Sequence, residues 1–403
     1  MNKTNKSFSL ITFFCLYIAQ MVPSSFLMTA LQVIMREGHY SLTTIGLLNL
    51  VRLPWLLKLF WSPLIDRNCI TIAHYKRTII ITESVYALAL VITSLVNVQS
   101  NLLLILILVF ISLLASATQD IATDALAIIT SVKRERSMLN SMQSMGSFGG
   151  ALLGSGVLLI VLKNYGWLTV VLCLAFFVII MLIPLLLNKG MKAKTPKPSQ
   201  KATFGDILYF FSSMNNWRQV GFLLLYYMGL IGIISMLRPY MVDCGYDIKQ
   251  IGFYIGVLGT FCSFVMAFIA GFIIRYIGVL YTRFIVSLAI CLAPVYFFII
   301  NLLPFNHIAL IIGIVYVQIC YGLATVVVYT SAMQCVRQGR EGTDFTIQIV
   351  ITHLSGIIIA AVAGFVAHHL NYSGLFAVEI FISVLSVLYI LRFFKNKTKY
   401  HII

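Results

Sequence analysis

Twelve apolar stretches, each long enough to cross a bilayer, mark this chain at 8–34, 44–65, 78–97, 102–131, 138–162, 167–188, 218–242, 250–274, 284–302, 308–334, 345–368 and 373–392. About 20 consecutive apolar residues suffice for a transmembrane helix. In lipid every backbone N–H and C=O must find its partner within the protein, which leaves helices as the solution for stretches of this kind. The pattern predicts an all-α polytopic membrane protein. Of the 403 residues 60% are hydrophobic and only 10% charged, with a mean hydropathy of +0.98, whereas a soluble domain carries roughly 25% charged residues. A soluble fold is excluded on that ground. The first stretch follows Lys3 and Lys6, is too long for a signal-peptide core and has no small-residue cleavage site after it, so it is expected to be retained as a span.

The net charge of +16 invites a nucleic-acid reading, but the placement of the basic residues gives another. With the N-terminus in the cytoplasm, all but six of the 28 Lys and Arg fall on that side. Arg36, Lys163 and Lys249 fall outside, while Arg52, Lys58 and Arg238 fall within spans. This is the positive-inside bias. It predicts both termini in the cytoplasm and calls for no nucleic-acid partner. The eight cysteines are scattered without a CxxC pair and read as small packing residues.

The chain also repeats itself. An offset of 206 residues aligns Tyr40 with Tyr246, Ile45-Gly46 with Ile251-Gly252, and Glu135 with Glu341. It also aligns Gly146, Gly150 and Gly154 with Thr352, Gly356 and Ala360. The basic stretch Lys189–Lys201, containing Thr195-Pro-Lys-Pro-Ser199, separates the copies. The expected organisation is an N-terminal six-helix half (1–188), a cytoplasmic linker (189–217) and a C-terminal six-helix half (218–403) in parallel repeat, with a substrate site near the midplane. The small-residue ladders serve either tight packing or a rocking interface.

Four stretches carry a family resemblance: Tyr17-Ile-Ala-Gln-Met-Val-Pro23, Arg36 to Gly46, Leu53-Pro-Trp-Leu-Leu-Lys-Leu-Phe-Trp-Ser-Pro-Leu-Ile-Asp-Arg67, and Ala117-Thr-Gln-Asp-Ile-Ala-Thr-Asp-Ala125. Together they resemble the AmpG-type muropeptide permeases of the major facilitator superfamily. The resemblance covers the first 125 residues by motif and the second half by architecture. It implies the major facilitator fold, twelve transmembrane helices in two pseudo-symmetric six-helix halves. It further implies a bacterial inner-membrane importer of anhydro-muropeptides, working by alternating access as a monomer. The proton motive force would drive it, with no bound cofactor. Related permeases that import siderophores share much of this pattern, which keeps a siderophore as the alternative substrate. After the aspartates the family continues with Tyr-Arg and an acidic residue, whereas this chain reads Ala125-Leu126-Ala127-Ile128. The fifth stretch, Gly149 to Gly154, lacks the proline that proton-coupled drug exporters place there. No HExxH, P-loop or GxSxG motif supports an enzyme, and a non-transporting membrane receptor is the alternative of a different class.

Within that frame, Asp120 and Asp124 are the proton-coupling candidates. Their four-residue spacing puts both carboxylates on one helix face. A charge at mid-membrane costs roughly 2.5–3.5 kcal/mol by insertion scales, and two adjacent carboxylates in a low dielectric resist simultaneous ionisation. The competing reading is a structural ion pair with Lys58 on the second span. Arg52, Lys58 and Arg238 are candidate ligands for a substrate carboxylate. Tyr17 and Gln20 on the first span, Gln119 beside the aspartates, and Gln318 and Tyr321 on the tenth are further substrate-binding candidates, on polar stripes that serve equally well in interhelical hydrogen bonding. By resemblance, Asp66 and Arg67 after the second span are the gate. Glu83 and Glu379 lie within spans and receive no role.

Overall fold

A computed structural model describes residues 3–98, 100–194 and 200–394. The Thr195–Ser199 stretch of the linker and Lys395, Lys397 and Lys399 lie outside the described residues, as do the side chains of Lys3 and Lys6. The described chain is helical throughout. In order it forms α1 (Lys3–Glu37), α2 (Leu42–Leu47), a 3-10 turn (Leu48–Arg52), α3 (Pro54–Asn68), α4 (Ile72–Leu95), α5 (Leu102–Thr130) and α6 (Arg136–Leu152). After a π turn at Leu153–Val157 come α7 (Leu158–Leu187), α8 (Gly205–Phe210), α9 (Met214–Tyr226), α10 (Met228–Asp243) and α11 (Ile248–Ile251). A second π segment (Gly252–Gly259) leads into α12 (Thr260–Ile277), α13 (Val279–Leu302), α14 (His307–Gln334) and α15 (Glu341–Phe394).

Ten helical runs among the described residues are long and apolar enough to cross a membrane. Two of them, Arg136–Leu187 with 52 residues and Glu341–Phe394 with 54, are far longer than one crossing needs. At ~1.5 Å per residue each would measure about 80 Å against a hydrocarbon core of about 30 Å. Each is broken near its middle by a residue with positive φ, Gly166 (φ 78°) and Asn371 (φ 56°). Glycine enters that region without steric cost and asparagine more readily than most residues. Counting both sides of each break yields twelve stretches, whose bounds follow the apolar pattern of the sequence. The second span departs from a single helix: Pro54 cannot donate a backbone hydrogen bond, and α3 starts there after the 3-10 turn.

The chain forms two compact units. Unit 1 comprises residues 1–208 with 336–347, and unit 2 comprises 209–335 with 348–403. The turn between α14 and α15, with the first turn of α15, therefore packs in unit 1. Inside unit 1 the apolar core is built from α1, α4, α5 and α7, including Val22, Phe26, Leu31, Tyr86, Leu90, Val109 and Val178. Trp167 is fixed by its indole N–H to the Thr93 carbonyl at 3.0 Å.

The ladder Gly146, Gly150 and Gly154 lies directly on α1. A Cβ at Gly146 would fall 2.7 Å from the Tyr17 Cβ, and one at Gly154 only 2.5 Å from the Val22 carbonyl oxygen. Its offset partner Gly356 is looser, with Ile231 at 4.0 Å as its nearest neighbour in unit 2. The first-half ladder is thus a close-packing seam, whereas Gly356, which matches Gly150, has no such close neighbour.

In unit 2, Gly322 of α14 abuts the backbone of Ser263 on α12. Tyr240, Phe297, Tyr372 and Phe376 form an aromatic cluster. Arg283, expected at the cytoplasmic surface, is instead buried. Its guanidinium lies 4.1 Å from the ring centres of both Phe222 and Phe394 and donates to Ser331 Oγ at 2.8 Å. Few of the cysteines are core residues in the strict sense: Cys69 and Cys320 are buried, whereas Cys173 is exposed.

Candidate functional site

The polar centre of unit 1 is organised by α5. From Ser112 to Ile128 this helix is buried at almost every position, because Ala115, Ser116, Ala117 and Ala122 are small enough for neighbouring helices to close around it. Gln119, Asp120 and Asp124 project from this enclosed segment, and each is no more than 4% exposed.

Lys58 of α3, 1% exposed, places its Nζ 2.5 Å from Asp120 Oδ2 and lies over the Trp55 ring at 4.9 Å. The ion pair anticipated as the competing role of the aspartates is therefore present, but it engages only one of them. Asp124 Oδ1 instead accepts from the Tyr17 hydroxyl at 2.7 Å and from Gln143 Nε2 at 3.1 Å. It remains within electrostatic reach of both Asp120 and Lys58. Gln20 donates to the side-chain oxygen of Gln119, whose own Nε2 donates to Glu83 Oε1 at 3.1 Å.

Six of the candidates read from the sequence are thus buried along this segment of α5, in three bonded groups: Lys58 with Asp120, Tyr17 with Asp124, and Gln20 with Gln119. Two members, Glu83 and Gln143, were not among them. Glu83 carried a usable signal as an ionisable residue inside a span, which is a site hypothesis in its own right. Gln143 carried none, since a lone glutamine on a small-residue helix is indistinguishable from a packing contact.

The remaining candidates lie elsewhere. In unit 2, Gln318 Oε1 accepts from Ser263 Oγ at 2.8 Å, and Tyr321 packs edge-on to Tyr227 with ring centres 5.9 Å apart. Arg52, at the end of the 3-10 turn, and Arg238, on α10, are exposed. They do not join either cluster. Arg52 lies within the candidate span Thr44–Asn68, as expected, but in a 3-10 turn before Pro54 and not in a continuous α-helix.

Asp66 closes a second site in unit 1. Its carboxylate is 4% exposed and accepts from the backbone N–H groups of Gly342 at 3.0 Å and Thr343 at 2.7 Å, and from Thr343 Oγ1 at 2.7 Å. These donors belong to the first turn of α15, where unsatisfied N–H groups and the helix dipole favour an anion. A Cβ at Gly342 would stand 2.9 Å from Asp66 Oδ1, so the close approach needs glycine. Arg67, the next residue, is exposed and takes no part.

The same turn is held from its other side. Arg337 forks onto Asp344 through Nε at 2.9 Å and Nη2 at 2.6 Å, and Arg340 Nε lies 2.7 Å from Asp206 Oδ2. Burial alone raises the Asp206 carboxyl. The Thr203 N–H and the Arg340 guanidinium more than reverse this, leaving it below its ordinary value.

A buried group of three carboxyls, two amides and one cation inside a bundle of apolar helices is a costly arrangement of the kind that intramembrane transport uses. Comparison with known proteins agrees. "Putative transporter AmpG 3" of Rickettsia prowazekii is 26% identical over 369 residues, covering 87% of each chain. The anhydromuropeptide permease of Escherichia coli K12 is 21% identical over 345 residues, covering 84% of this chain and 70% of that one. Among solved structures, the proton:xylose symporter XylE superposes with a TM-score of 0.71 at 11% identity, covering 97% of this chain and 95% of that one. The human organic anion transporter MFSD10 gives 0.74 at 12%, covering 97% and 100%. At these identities the superpositions speak for the fold alone. The sequence profile of the Major Facilitator Superfamily matches residues 10–360, and the chain belongs to that superfamily of membrane transporters.

Proposed function

We propose that this protein is a proton-coupled importer of anhydro-muropeptides in a bacterial inner membrane, operating by alternating access. The observation that carries the coupling half of the reading is the charge imbalance in the α5 network. Lys58 is a single cation among three buried carboxyl groups, Asp120, Asp124 and Glu83. Bare buried carboxylates each cost several kcal/mol, so such a site binds protons and changes its internal pairing when it does. Protonation of Asp120 frees Lys58. Protonation of Asp124 adds an O–H donor to a group that otherwise only accepts and weakens the bonds it takes from Tyr17 and Gln143. Either event alters the preference between conformations, which coupling requires. One elementary charge crossing ~100 mV supplies about 2.3 kcal/mol, worth roughly 40-fold in concentration per proton.

The substrate half is supported by two kinds of observation. Relatives spanning most of the chain include the E. coli anhydromuropeptide permease. The candidate side chains of unit 1 also suit an amino-sugar peptide once their present hydrogen bonds open: the Gln20 amide for hydroxyl and amide groups, the Tyr17 ring for a sugar face and Arg52 for a peptide carboxylate; unit 2, taken by itself, carries the same chemistry at Gln318, Tyr321 and Arg238. Asp66 on the first turn of α15 acts as the gate, holding that turn until the carboxylate is released.

The test is uptake into energised membrane vesicles of labelled N-acetylglucosaminyl-anhydro-N-acetylmuramyl tripeptide, with and without a protonophore. The reading predicts accumulation that collapses when the proton gradient is dissipated. Uptake of a ferric siderophore such as ferri-pyochelin, with none of the muropeptide, moves the substrate assignment to the siderophore class. Ligand binding without accumulation of either identifies a receptor.

A further inference from the structure

Glu83 is the buried acid for which the network provides least. It sits on α4, 1% exposed, in the middle of a span. One carboxyl oxygen accepts a single neutral amide hydrogen bond, from Gln119, and the other, Oε2, is buried with no hydrogen-bond partner.

Among the described residues its surroundings offer no cation. From α1 the Cys15 thiol lies within electrostatic reach. From α5 come Gln119 and, beyond it, Asp120, which already holds Lys58 at 2.5 Å. Within α4 itself Tyr86 directs its hydroxyl to the Gln20 carbonyl oxygen at 3.4 Å, not to the acid. On α7, which also packs against α4, the titratable residues Lys163, Tyr165 and Cys173 are all exposed. Asp124, by contrast, has two donors and Asp120 has an ammonium. Of the three carboxyl groups, Glu83 is therefore the one whose ionised form is least supported by geometry.

We infer that Glu83 is the proton carrier of this transporter, reporting its state through Gln119 to the amide of Gln20 on α1. This rests on the proton-coupled reading given above. In the present arrangement Glu83 holds a proton on Oε2 and is neutral, and Oε1 accepts from Gln119. Loss of the proton leaves a carboxylate that draws the Gln119 amide more strongly. Because Gln119 donates to Glu83 and accepts from Gln20, a change at Glu83 is passed along two hydrogen bonds. The residue next to Gln119 on α5 is Asp120, so the same displacement bears on the ion pair with Lys58.

The experiment uses the full-length protein in proteoliposomes, with two readouts on wild type, Glu83→Gln and Asp124→Asn. The first is the infrared C=O stretch of a protonated carboxyl at pH 7. The inference expects a band in wild type that persists in Asp124→Asn and is lost in Glu83→Gln. The second is transport of the labelled anhydro-muropeptide tripeptide. Glu83→Gln should lose gradient-driven accumulation by tenfold or more while still exchanging labelled for unlabelled solute. Should Glu83→Gln fail to fold, Glu83→Asp supplies the same test, with the band moved in frequency by the shorter side chain.

A band of unchanged position and intensity in the Glu83 variant, or accumulation at the wild-type level in Glu83→Gln, overturns the inference. Wild type that binds or exchanges the tripeptide without responding to the gradient overturns instead the proton-coupled reading, and with it the carrier role, while the infrared comparison still decides where the proton sits.

Discussion

The Lys58–Asp120 pair and the Asp124 hydrogen bonds divide the two aspartates between different tasks. Asp120 has an ammonium 2.5 Å away in a site closed to water, and the pair's worth depends on both partners being present. Removing one charge from such a pair costs about 3–5 kcal/mol, whereas replacing both by apolar side chains is often close to neutral. Lys58→Met should accordingly lower the thermal midpoint of the detergent-purified protein, and Lys58→Met combined with Asp120→Leu should recover most of the loss. A single variant as stable as wild type contradicts the ion pair. Asp124, held by neutral Tyr17 and Gln143, is free to change its proton without releasing a cation. Much of this site is legible in the sequence, since a charged residue inside an apolar stretch announces itself. What does not announce itself is the pairing. Asp120 and Asp124 share one helix face and Lys58 lies at similar depth, so only the packing of α3 on α5 decides which aspartate takes the ammonium. Glu83 is legible as an intramembrane acid, but its link to Gln119 depends on the juxtaposition of α4 and α5.

At the scale of elements, the α1–α6 seam is the clearest case of sequence dictating packing. Gly146, Gly150 and Gly154 recur every fourth residue and bring their backbone onto α1 at Tyr17, Met21 and Val22, so the seam also positions Tyr17 of the polar site. Gly150 faces the Met21 side chain and the Val22 backbone with no room for a Cβ, while Gly156 just beyond has nothing within 4 Å. Forcing atoms into a packed interface costs about 1–3 kcal/mol or more. Gly150→Val should reduce thermal stability by at least that and weaken the Tyr17–Asp124 contact, whereas Gly156→Ala should be near neutral. Equal effects of the two substitutions contradict the seam. The breaks at Gly166 and Asn371 are legible as the gaps between the apolar stretches 138–162 and 167–188 and between 345–368 and 373–392. The break inside the second span is less so. The 3-10 turn before Pro54 carries Arg52 out of the continuous helix that apolar periodicity alone suggests.

Across the whole molecule, apolar stretch lengths and basic-residue placement foreshadow a chain of membrane-crossing helices, because the bilayer imposes one length and one hydrogen-bonding rule on every span. The grouping of those helices is not foreshadowed to the same degree. Residues 336–347 pack in unit 1 although the chain on either side belongs to unit 2. That follows from an acid at Asp66 meeting the N–H groups of Gly342 and Thr343, a partnership separated by more than 270 residues of sequence. On the proposed function, proton movement and solute movement through this molecule are one event. The pH change on adding anhydro-muropeptide tripeptide to lightly buffered proteoliposomes with no imposed gradient tests this. Wild-type protein should cause solute-dependent alkalinisation of the outer medium, abolished by a protonophore and absent in Glu83→Gln. Uptake of the tripeptide by wild type at an undiminished rate with no accompanying pH change would contradict it.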